Sequence, residues 1–321
     1  MYGSKARIFI LILLAAGVTC GQTKKTAPVD PNKYAVIING PGGEAVYTKQ
    51  FEEWTAQLSS LLSDRYGFDA KKITVPRATA EEVKGVFGTL KTQLDANNVL
   101  FVFLIGHGSF DGKESKFNLI GPDLSASEYN ALLSALPTRR VVVFNMSSAS
   151  GEFIKSLAAK GRIVVTATRN GQETNATRFT GFFISALQAT DADTDQDGHT
   201  SVLEAFVYAN RLTGDFYKRA GRLATEHALI DDNGDGVGHE KVEAGEGLLA
   251  RATYLDSLSV DEAAATAAAG RLLKERTRLE GEIEQLIARK GNLPETEYEA
   301  TLERLFIELA KVNRSIKQAG S

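Results

Sequence analysis

Runs of apolar residues separated by helix-like segments constrain the fold of this chain more than any other feature. Strands are predicted at 34–39, 72–75, 99–105, 140–144 and 162–168. The intervening segments carry apolar residues at helical spacing, and one of them, near 79–96, begins with Thr79 and Glu82 in a capping-box arrangement. Unbroken apolar strands separated by helices are typical of a mostly parallel sheet covered on both faces. The sequence therefore predicts an α/β fold in the form of a three-layer sandwich.

A different pattern fills the C-terminal residues 259–321. Apolar residues recur there at intervals of three, four and seven, on both sides of a break at Gly291 and Pro294. They are Leu272, Leu279, Ile283, Leu286, Leu302, Leu305, Leu309, Val312 and Ile316. This spacing predicts an antiparallel helical hairpin or coiled coil, which offers a surface for self-association. The alternative is that both helices pack on the preceding domain.

The first 20 residues have the form of a secretory signal peptide. Lys5 and Arg7 precede an apolar run at 8–16, which small residues follow. The only cysteine, Cys20, resembles the modified cysteine of bacterial lipoproteins, although Thr19 departs from that pattern. We therefore expect an exported protein, periplasmic or anchored to the membrane by a lipid on Cys20, with residues 21–33 as a polar linker. Plain cleavage of the signal and an apolar N-terminal anchor are the alternatives.

The net charge of −3 and the single cysteine restrict the possible partners and chemistry. A nearly balanced charge without basic tracts is not typical of nucleic-acid binding. One cysteine allows neither an intrachain disulfide nor a thiolate metal cluster. Nucleic acid is therefore not an expected partner, and any metal ion would have oxygen or imidazole ligands.

Two polar segments follow the long predicted strands directly. Gly106-His107-Gly108 comes after the strand at 99–105, and the segment NMSSASG, residues 145–151, comes after the strand at 140–144. In open α/β sheets, ligand sites lie at the carboxyl ends of the strands. Both segments are therefore predicted to meet at one edge of the sheet.

The segments IGHGSFDG and FNMSSASG resemble those of the caspase, legumain and metacaspase superfamily of cysteine peptidases. The resemblance covers about 34–188 and implies a caspase-like domain over 34–258. It implies a catalytic histidine at His107 and a nucleophile position at Ser148, or at Ser147 after a slip of one residue. The backbone N–H of Gly108 is then expected near a developing oxyanion.

A serine at the nucleophile position changes the expected function. A thiolate paired with histidine attacks readily, whereas a serine hydroxyl normally needs a base oriented by a third group. We therefore expect a catalytically degenerate homologue that binds a peptide or protein. One alternative is an active peptidase or esterase that uses Ser147 or Ser148 with His107, and Asp111 as a conceivable third group. A structural envelope protein assembled through the hairpin, and an α/β domain whose Gly-His-Gly is only a tight turn, also stay open.

The segment DTDQDGHTSVLE, residues 193–204, matches the EF-hand calcium loop. The pattern places the ligands at positions one, three, five, seven, nine and twelve. They are Asp193, Asp195, Asp197, the carbonyl of His199, Ser201 and Glu204. The sequence therefore predicts a Ca²⁺ site within an insertion at 191–240, with a solvated acidic turn as the alternative.

A second acidic segment repeats half of that pattern. Asp231, Asn233 and Asp235 occupy positions one, three and five, but position twelve is Val242, which has no ligand atom in its side chain. This predicts either a weaker second calcium site or an Asx-rich turn. His227 and His239 flank the segment without a zinc-binding spacing, which favours structural roles for both.

Overall fold

The computed structural model describes residues 28–242, 247–256 and 294–319, and isolated positions between 271 and 289. Its strands, in chain order, are β1 (Lys33–Asn39), β2 (Ile73–Thr74), β3 (Val99–Ile105), β4 (Gly108–Phe110), β5 (Ser115–Phe117), β6 (Leu124–Ser125), β7 (Arg140–Asn145), β8 (Arg162–Thr166) and β9 (Leu229–Asp231). Six of them form one sheet in the order β2-β1-β3-β7-β8-β9, and β4, β5 and β6 form a small antiparallel sheet. The large sheet is parallel except for β9, which runs antiparallel to β8.

Some of the helices begin at a residue whose side chain caps them. They are α1 (Ala45–Asp64), α2 (Ala80–Gln93), α3 (Ala126–Ser134), α4 (Phe153–Leu157), α5 (Phe179–Gln188), α6 (Val202–Arg219), α7 (Leu248–Arg251) and α8 (Glu295–Ala319). The Thr79 side chain accepts the Glu82 N–H at the start of α2. Ser125 and Ser201 each form a full capping box, at α3 and α6.

Alternate residues of the sheet face two separate cores. Phe101 and Phe103 pack with residues of α1, α5 and α6 on one face. Leu100 and Val102 pack with residues of α2, α3 and α4 on the other face. This arrangement confirms the predicted three-layer α/β fold with its mostly parallel sheet. The sequence prediction missed β9 and the small antiparallel sheet, which are three-residue or two-residue strands without a periodic signal.

The heptad-spaced residues near the C-terminus form a cluster of their own. Buried Leu279, Ile283 and Leu286 pack with buried Tyr298 and Leu305 of α8, and Leu302, Leu309 and Val312 pack against them. Helical residues from both sides of the Gly291–Pro294 break therefore share one apolar cluster. Residues 259–270 of the predicted hairpin lie outside the described residues, as does the side chain of Ile316.

The predicted signal peptide, Cys20 and most of the predicted linker lie outside the described residues, which begin at Pro28. Within the part of the chain that the structure describes, no helix combines the length and apolarity that a membrane span requires.

Candidate functional site

Close packing explains both glycines beside His107. A Cβ atom on Gly106 would lie 3.0 Å from a ring carbon of Phe117. One on Gly108 would lie 2.3 Å from the carbonyl oxygen of Ser148, which is closer than any real contact. Gly106 therefore leaves room for the Phe117 ring, and Gly108 lets the chain pass close to the segment that follows β7.

The His107 ring lies against the start of α1. Its Nε2 is 3.2 Å from the carbonyl oxygen of Gly42, and the ring meets Tyr47 and Phe51 edge-on with centroids 5.1 Å apart. A carbonyl oxygen can only accept a hydrogen bond, so Nε2 carries the proton in this contact. In the neutral ring, Nδ1 is then the basic nitrogen.

The structure brings Ser148 to Gly108. The Ser148 hydroxyl accepts the Gly108 N–H at 3.1 Å and donates to the Gly108 carbonyl at 3.1 Å. Ser147 is fully buried and donates its hydroxyl to Asn145 Oδ1 at 2.7 Å. Among the described residues, no hydrogen bond joins His107 to either serine. The N–H of Gly108 is therefore engaged by Ser148, and the Ser148 proton points to a backbone carbonyl.

The loop that carries Ser148 is held in a strained conformation. Ala149 has φ of 52°, in the left-handed region that costs a residue with a side chain about 1–2 kcal/mol. Its N–H donates to the carbonyl of Glu173 at 2.8 Å, and its carbonyl accepts the Ser115 hydroxyl at 2.6 Å. The next hydroxyl, that of Ser150, forms a hydrogen bond with the hydroxyl of Thr168, two residues after β8. Contacts from three other segments thus hold the loop in one shape.

The carboxylate of Asp111 belongs to a turn of its own. It accepts the N–H groups of Lys113 and Glu114, at 3.0 and 2.9 Å, and pairs with Lys116 at 3.2 Å. These hydrogen bonds, those to the backbone first, lower the pKa of Asp111 to about 2. Among the described residues, no hydrogen bond joins Asp111 to His107, so the structure does not bring the conceivable third group to the histidine.

A cleft of about 470 Å³ opens between the start of α1 and the segments around Arg178 and Arg222, and His107 does not line it. Its wall includes Tyr47, whose ring contacts the histidine, and the side chains of Arg178 and Arg222. The Arg178 guanidinium lies over the Phe216 ring, 5.2 Å from its centroid. Exposed Leu223 contributes an apolar rim. The cleft therefore combines two cationic groups with aromatic and apolar surface.

A buried carboxylate under this cleft was not predicted from the sequence. Glu226 is 3% exposed and accepts the N–H groups of Arg178 and Phe179, at 2.8 and 3.1 Å, and the Tyr217 hydroxyl at 2.9 Å. Burial raises its pKa. Glu226 lies 48 residues from Arg178, so no local pattern could reveal that it holds the first residues of α5.

The pair formed by His227 and Glu173 was also missed. His227 Nδ1 lies 2.5 Å from Glu173 Oε1, and the other oxygen of Glu173 accepts the backbone N–H of His227. Arg169 adds its backbone N–H at 2.8 Å. The pair ties the loop after β8 to the start of β9, which is a structural role of the kind that the sequence favoured for His227.

The first acidic loop gathers three carboxylates. Oxygen atoms of Asp193, Asp195 and Asp197 all lie within 4.8 Å of one another. Burial, followed by repulsion from Asp197 and Glu204, raises the pKa of Asp195 to about 6. Burial also raises the pKa of Asp197. The raised pKa values show that a positive charge among these carboxylates is favoured. A small cluster of carboxylate oxygens also matches the ligands of a hard cation such as Ca²⁺.

The other predicted ligands of this loop have protein partners. Glu204 Oε1 accepts the N–H of Thr194 at 2.8 Å, and Oε2 accepts both the N–H and the hydroxyl of Ser201. The side chain of His199, which is not the predicted ligand, bonds Asp256 through Nδ1. Glu204 therefore belongs to the capping box of α6, and each of its oxygens already accepts more than one hydrogen bond. A cation bound by Glu204 would have to replace some of these hydrogen bonds.

In the second acidic segment, the side chains satisfy the backbone of their own turn. Asp231 is fully buried and accepts the N–H groups of Gly234 and Gly236, at 2.8 and 3.0 Å. Asn233 Nδ2 donates to Asp235 at 3.1 Å. This is the geometry of the Asx-rich turn that the sequence left open. Neighbouring Asp232 accepts two N–H groups at the start of α7.

Comparison with known proteins gives a likeness in structure alone. No family model matches the chain, and no curated protein matches it. Among solved structures, caspase-1 from Spodoptera frugiperda is similar at 12% identity and a TM-score of 0.41, covering 65% of this chain and 88% of that one. The Drosophila initiator caspase Dronc is similar at 12% identity and a TM-score of 0.42, covering 66% and 83%. The chemistry of the site follows from its own residues.

Proposed function

We propose that this chain is an exported, peptidase-related protein that binds peptides and does not hydrolyse them. The observation that carries the proposal is the hydrogen bonding of Ser148, whose hydroxyl donates to the Gly108 carbonyl. A general base must reach the proton that it removes. Here the proton of the nucleophile position points to a backbone oxygen, which cannot act as such a base at neutral pH.

Stabilisation of an oxyanion is compromised by the same pair. The Gly108 N–H donates to Ser148 Oγ at 3.1 Å, so it would have to break this bond to bind a developing negative charge. Close packing against Ser148 leaves little freedom for such a change, since a Cβ on Gly108 would lie 2.3 Å from the Ser148 carbonyl oxygen. The contact between Ser148 and Gly108 therefore weakens two requirements of a serine hydrolase, which are removal of the proton from the nucleophile and stabilisation of the oxyanion.

Peptide binding fits the cleft lined by Tyr47, whose ring contacts His107. Arg178 and Arg222 offer guanidinium groups, which recognise carboxylates through paired hydrogen bonds. Tyr47 and Phe216 supply aromatic surface, which contributes strongly to peptide interfaces. We therefore propose a peptide with acidic side chains as the ligand.

Hydrolysis is tested with fluorogenic peptides that carry Asn, Asp, Arg or Lys before the scissile bond. We expect no turnover above background from the unmodified protein, and slow turnover from Ser148→Cys, because a thiolate needs less help from a base. The double variant Ser148→Cys/His107→Ala should lose that turnover. Cleavage by the unmodified protein that disappears in His107→Ala would contradict the proposal.

Binding is tested by fluorescence anisotropy with labelled acidic and basic peptides of equal length. The acidic peptide should bind more tightly, and Arg178→Gln or Arg222→Gln should weaken it about tenfold, which corresponds to the loss of about 1.4 kcal/mol. Arg211→Gln is the matched control, because Arg211 lies over the Tyr208 ring on another surface of α6. Equal binding of the two peptides would exclude the acidic ligand.

We further propose that the loop at 193–204 binds Ca²⁺ through Asp193, Asp195 and Asp197, with the His199 carbonyl, Ser201 and Glu204 completing the set. The three aspartate oxygens within 4.8 Å support the proposal. A bound cation would neutralise the repulsion among them. Hydrogen bonds to the segment around Tyr254 orient the loop. Tyr254 donates its hydroxyl to Asp197 at 3.0 Å, and Thr200 donates its N–H to Asp256 at 3.0 Å.

Melting curves with calcium and with chelator test this site. Calcium at about 100 times its dissociation constant should add about 2.7 kcal/mol to the free energy of unfolding. Asp195→Asn and Glu204→Gln should reduce that gain, whereas Asp235→Asn, in the second acidic segment, should leave it intact. A melting temperature unchanged by chelation of a calcium-loaded sample would refute the assignment.

Export is a separate part of the proposal. It rests on the apolar run at 8–16 and on Cys20. Fractionation of bacterial cells that express the chain, followed by mass spectrometry of its N-terminus, distinguishes a lipid on Cys20 from plain cleavage. Cys20→Ser should release a lipid-anchored protein from the membrane fraction, and an intact N-terminus in the cytosol would rule out export.

A further inference from the structure

Helix α8 leaves two large apolar side chains uncovered at its centre. Tyr298 and Leu305 face the apolar cluster of the helical C-terminal region and are 8% and 2% exposed. Phe306 and Ile307 point away from it and are 52% and 48% exposed. Ile307 is the middle residue of the helix, which runs from Glu295 to Ala319.

The charges of α8 are arranged about the same centre. Glu303, Ile307 and Lys311 are spaced by four residues, so they form one line along the helix. All three are exposed. Acidic residues dominate before this centre and basic residues after it, at Glu295, Glu297, Glu299, Glu303, Lys311, Arg314 and Lys317. Arg304 and Glu308 form an ion pair within the helix, with Nη1 and Oε1 2.9 Å apart, so their charges cancel.

We propose that α8 pairs antiparallel with α8 of a second copy of this chain, about a twofold axis at Ile307. Such an axis places Ile307 against its own counterpart, because the residue lies on the axis. It places Glu303 of each copy opposite Lys311 of the other, since both lie four residues from Ile307. A parallel pair would instead align Glu303 with Glu303 and Lys311 with Lys311, which like-charge repulsion disfavours.

Small residues next to the axis allow the two helices to approach. Ala300 and Ala310 are exposed and lie on the same side of the helix as Ile307. Phe306 then covers one flank of the contact. Every feature used lies on α8, so the pairing stands or falls independently of peptide binding and of calcium binding.

Charge reversal tests the register in the full chain. Analytical ultracentrifugation should find a dimer for the unmodified protein, and Glu303→Lys or Lys311→Glu should each raise the dissociation constant at least tenfold. The double variant Glu303→Lys/Lys311→Glu should recover the original constant. Because the two positions are eight residues apart, they cannot pair within one helix, and recovery can arise only between copies.

Ile307→Asp tests the apolar centre and should give a monomer. Circular dichroism distinguishes loss of pairing from loss of the helix, and Thr301→Asp, on another side of α8, is the control. Three results would each overturn the proposal. The first is association that survives Ile307→Asp, and the second is an unmodified protein that is still monomeric at about 100 µM. The third is a double charge variant whose dissociation constant is as high as those of the single variants.

A cysteine at the axis provides a second readout. In a Cys20→Ser background, Ile307→Cys should form a disulfide between two copies under mild oxidation by diamide, because the two thiols face each other. Glu299→Cys, two turns earlier, faces Ser315 of the other copy and should remain reduced. Equal cross-linking of both variants would contradict the twofold register.

Discussion

Replacement of Lys33 by methionine should remove a specific pH dependence of stability. The ammonium group of Lys33 is buried, with the residue 5% exposed, where β1 begins. It donates to the carbonyl oxygen of Leu255 at 2.9 Å and to that of Asp256. Burial lowers its pKa from 10.5 to about 8, against the opposing effect of Asp30 and Asp256. The lysine therefore joins the first strand to the end of the described α/β part of the chain.

The magnitude follows from that pKa. Between pH 8 and 10.5 the native state binds fewer protons at Lys33 than the unfolded state does, so stability rises with pH across this window. The contribution amounts to about 3 kcal/mol, at about 1.4 kcal/mol for each pKa unit. This gain in stability is fully present above about pH 10.5 and is lost as the pH falls through 8.

Urea denaturation measures the effect. It is carried out from pH 7 to pH 11 in steps of about one pH unit, which covers this window. The difference in unfolding free energy between Lys33→Met and the unmodified protein should change by about 3 kcal/mol across the series, in favour of the unmodified protein at high pH. Lys71→Met, at an exposed lysine, should show no such trend. Parallel curves for Lys33→Met and the unmodified protein would refute the reasoning.

Three further substitutions, with Gly85→Ala as a control, test packing and capping by the same denaturation assay. Gly108→Ala should cost about 1–3 kcal/mol because its Cβ would meet the Ser148 carbonyl, whereas Gly85→Ala, in open space on α2, should stabilise by about 0.5–1 kcal/mol. An equal effect of both would contradict the close approach. Asp232→Ala should cost about 1–2 kcal/mol through loss of the α7 cap, and a value near zero would exclude that role. Phe144→Ala should cost about 3–5 kcal/mol because the ring is fully buried between Phe103 and Phe183, and a cost below about 1 kcal/mol would contradict this packing.

The fold could be predicted from the sequence to the extent that the signal is local. Apolar runs such as 99–105 set which segments are strands, and helical spacing in α1 set which face is buried. The Gly-His-Gly segment was predicted at the sheet edge because a parallel strand ends there. The three aspartates at 193–197 were predicted to converge because one short turn carries all of them. Each of these inferences needs only residues within about one element of each other.

The hydrogen bonds that decide the chemistry join segments that are distant in the chain. Ser148 and Gly108 are 40 residues apart, and whether the hydroxyl meets His107 or the glycine backbone depends on how β3 and β7 align. Lys33 and Leu255 are 222 residues apart. Periodicity along the chain encodes which side of an element is apolar, but it carries no information on which distant donor meets which acceptor. The fold class was therefore decided by the sequence pattern, whereas tertiary packing alone decided where the Ser148 proton points.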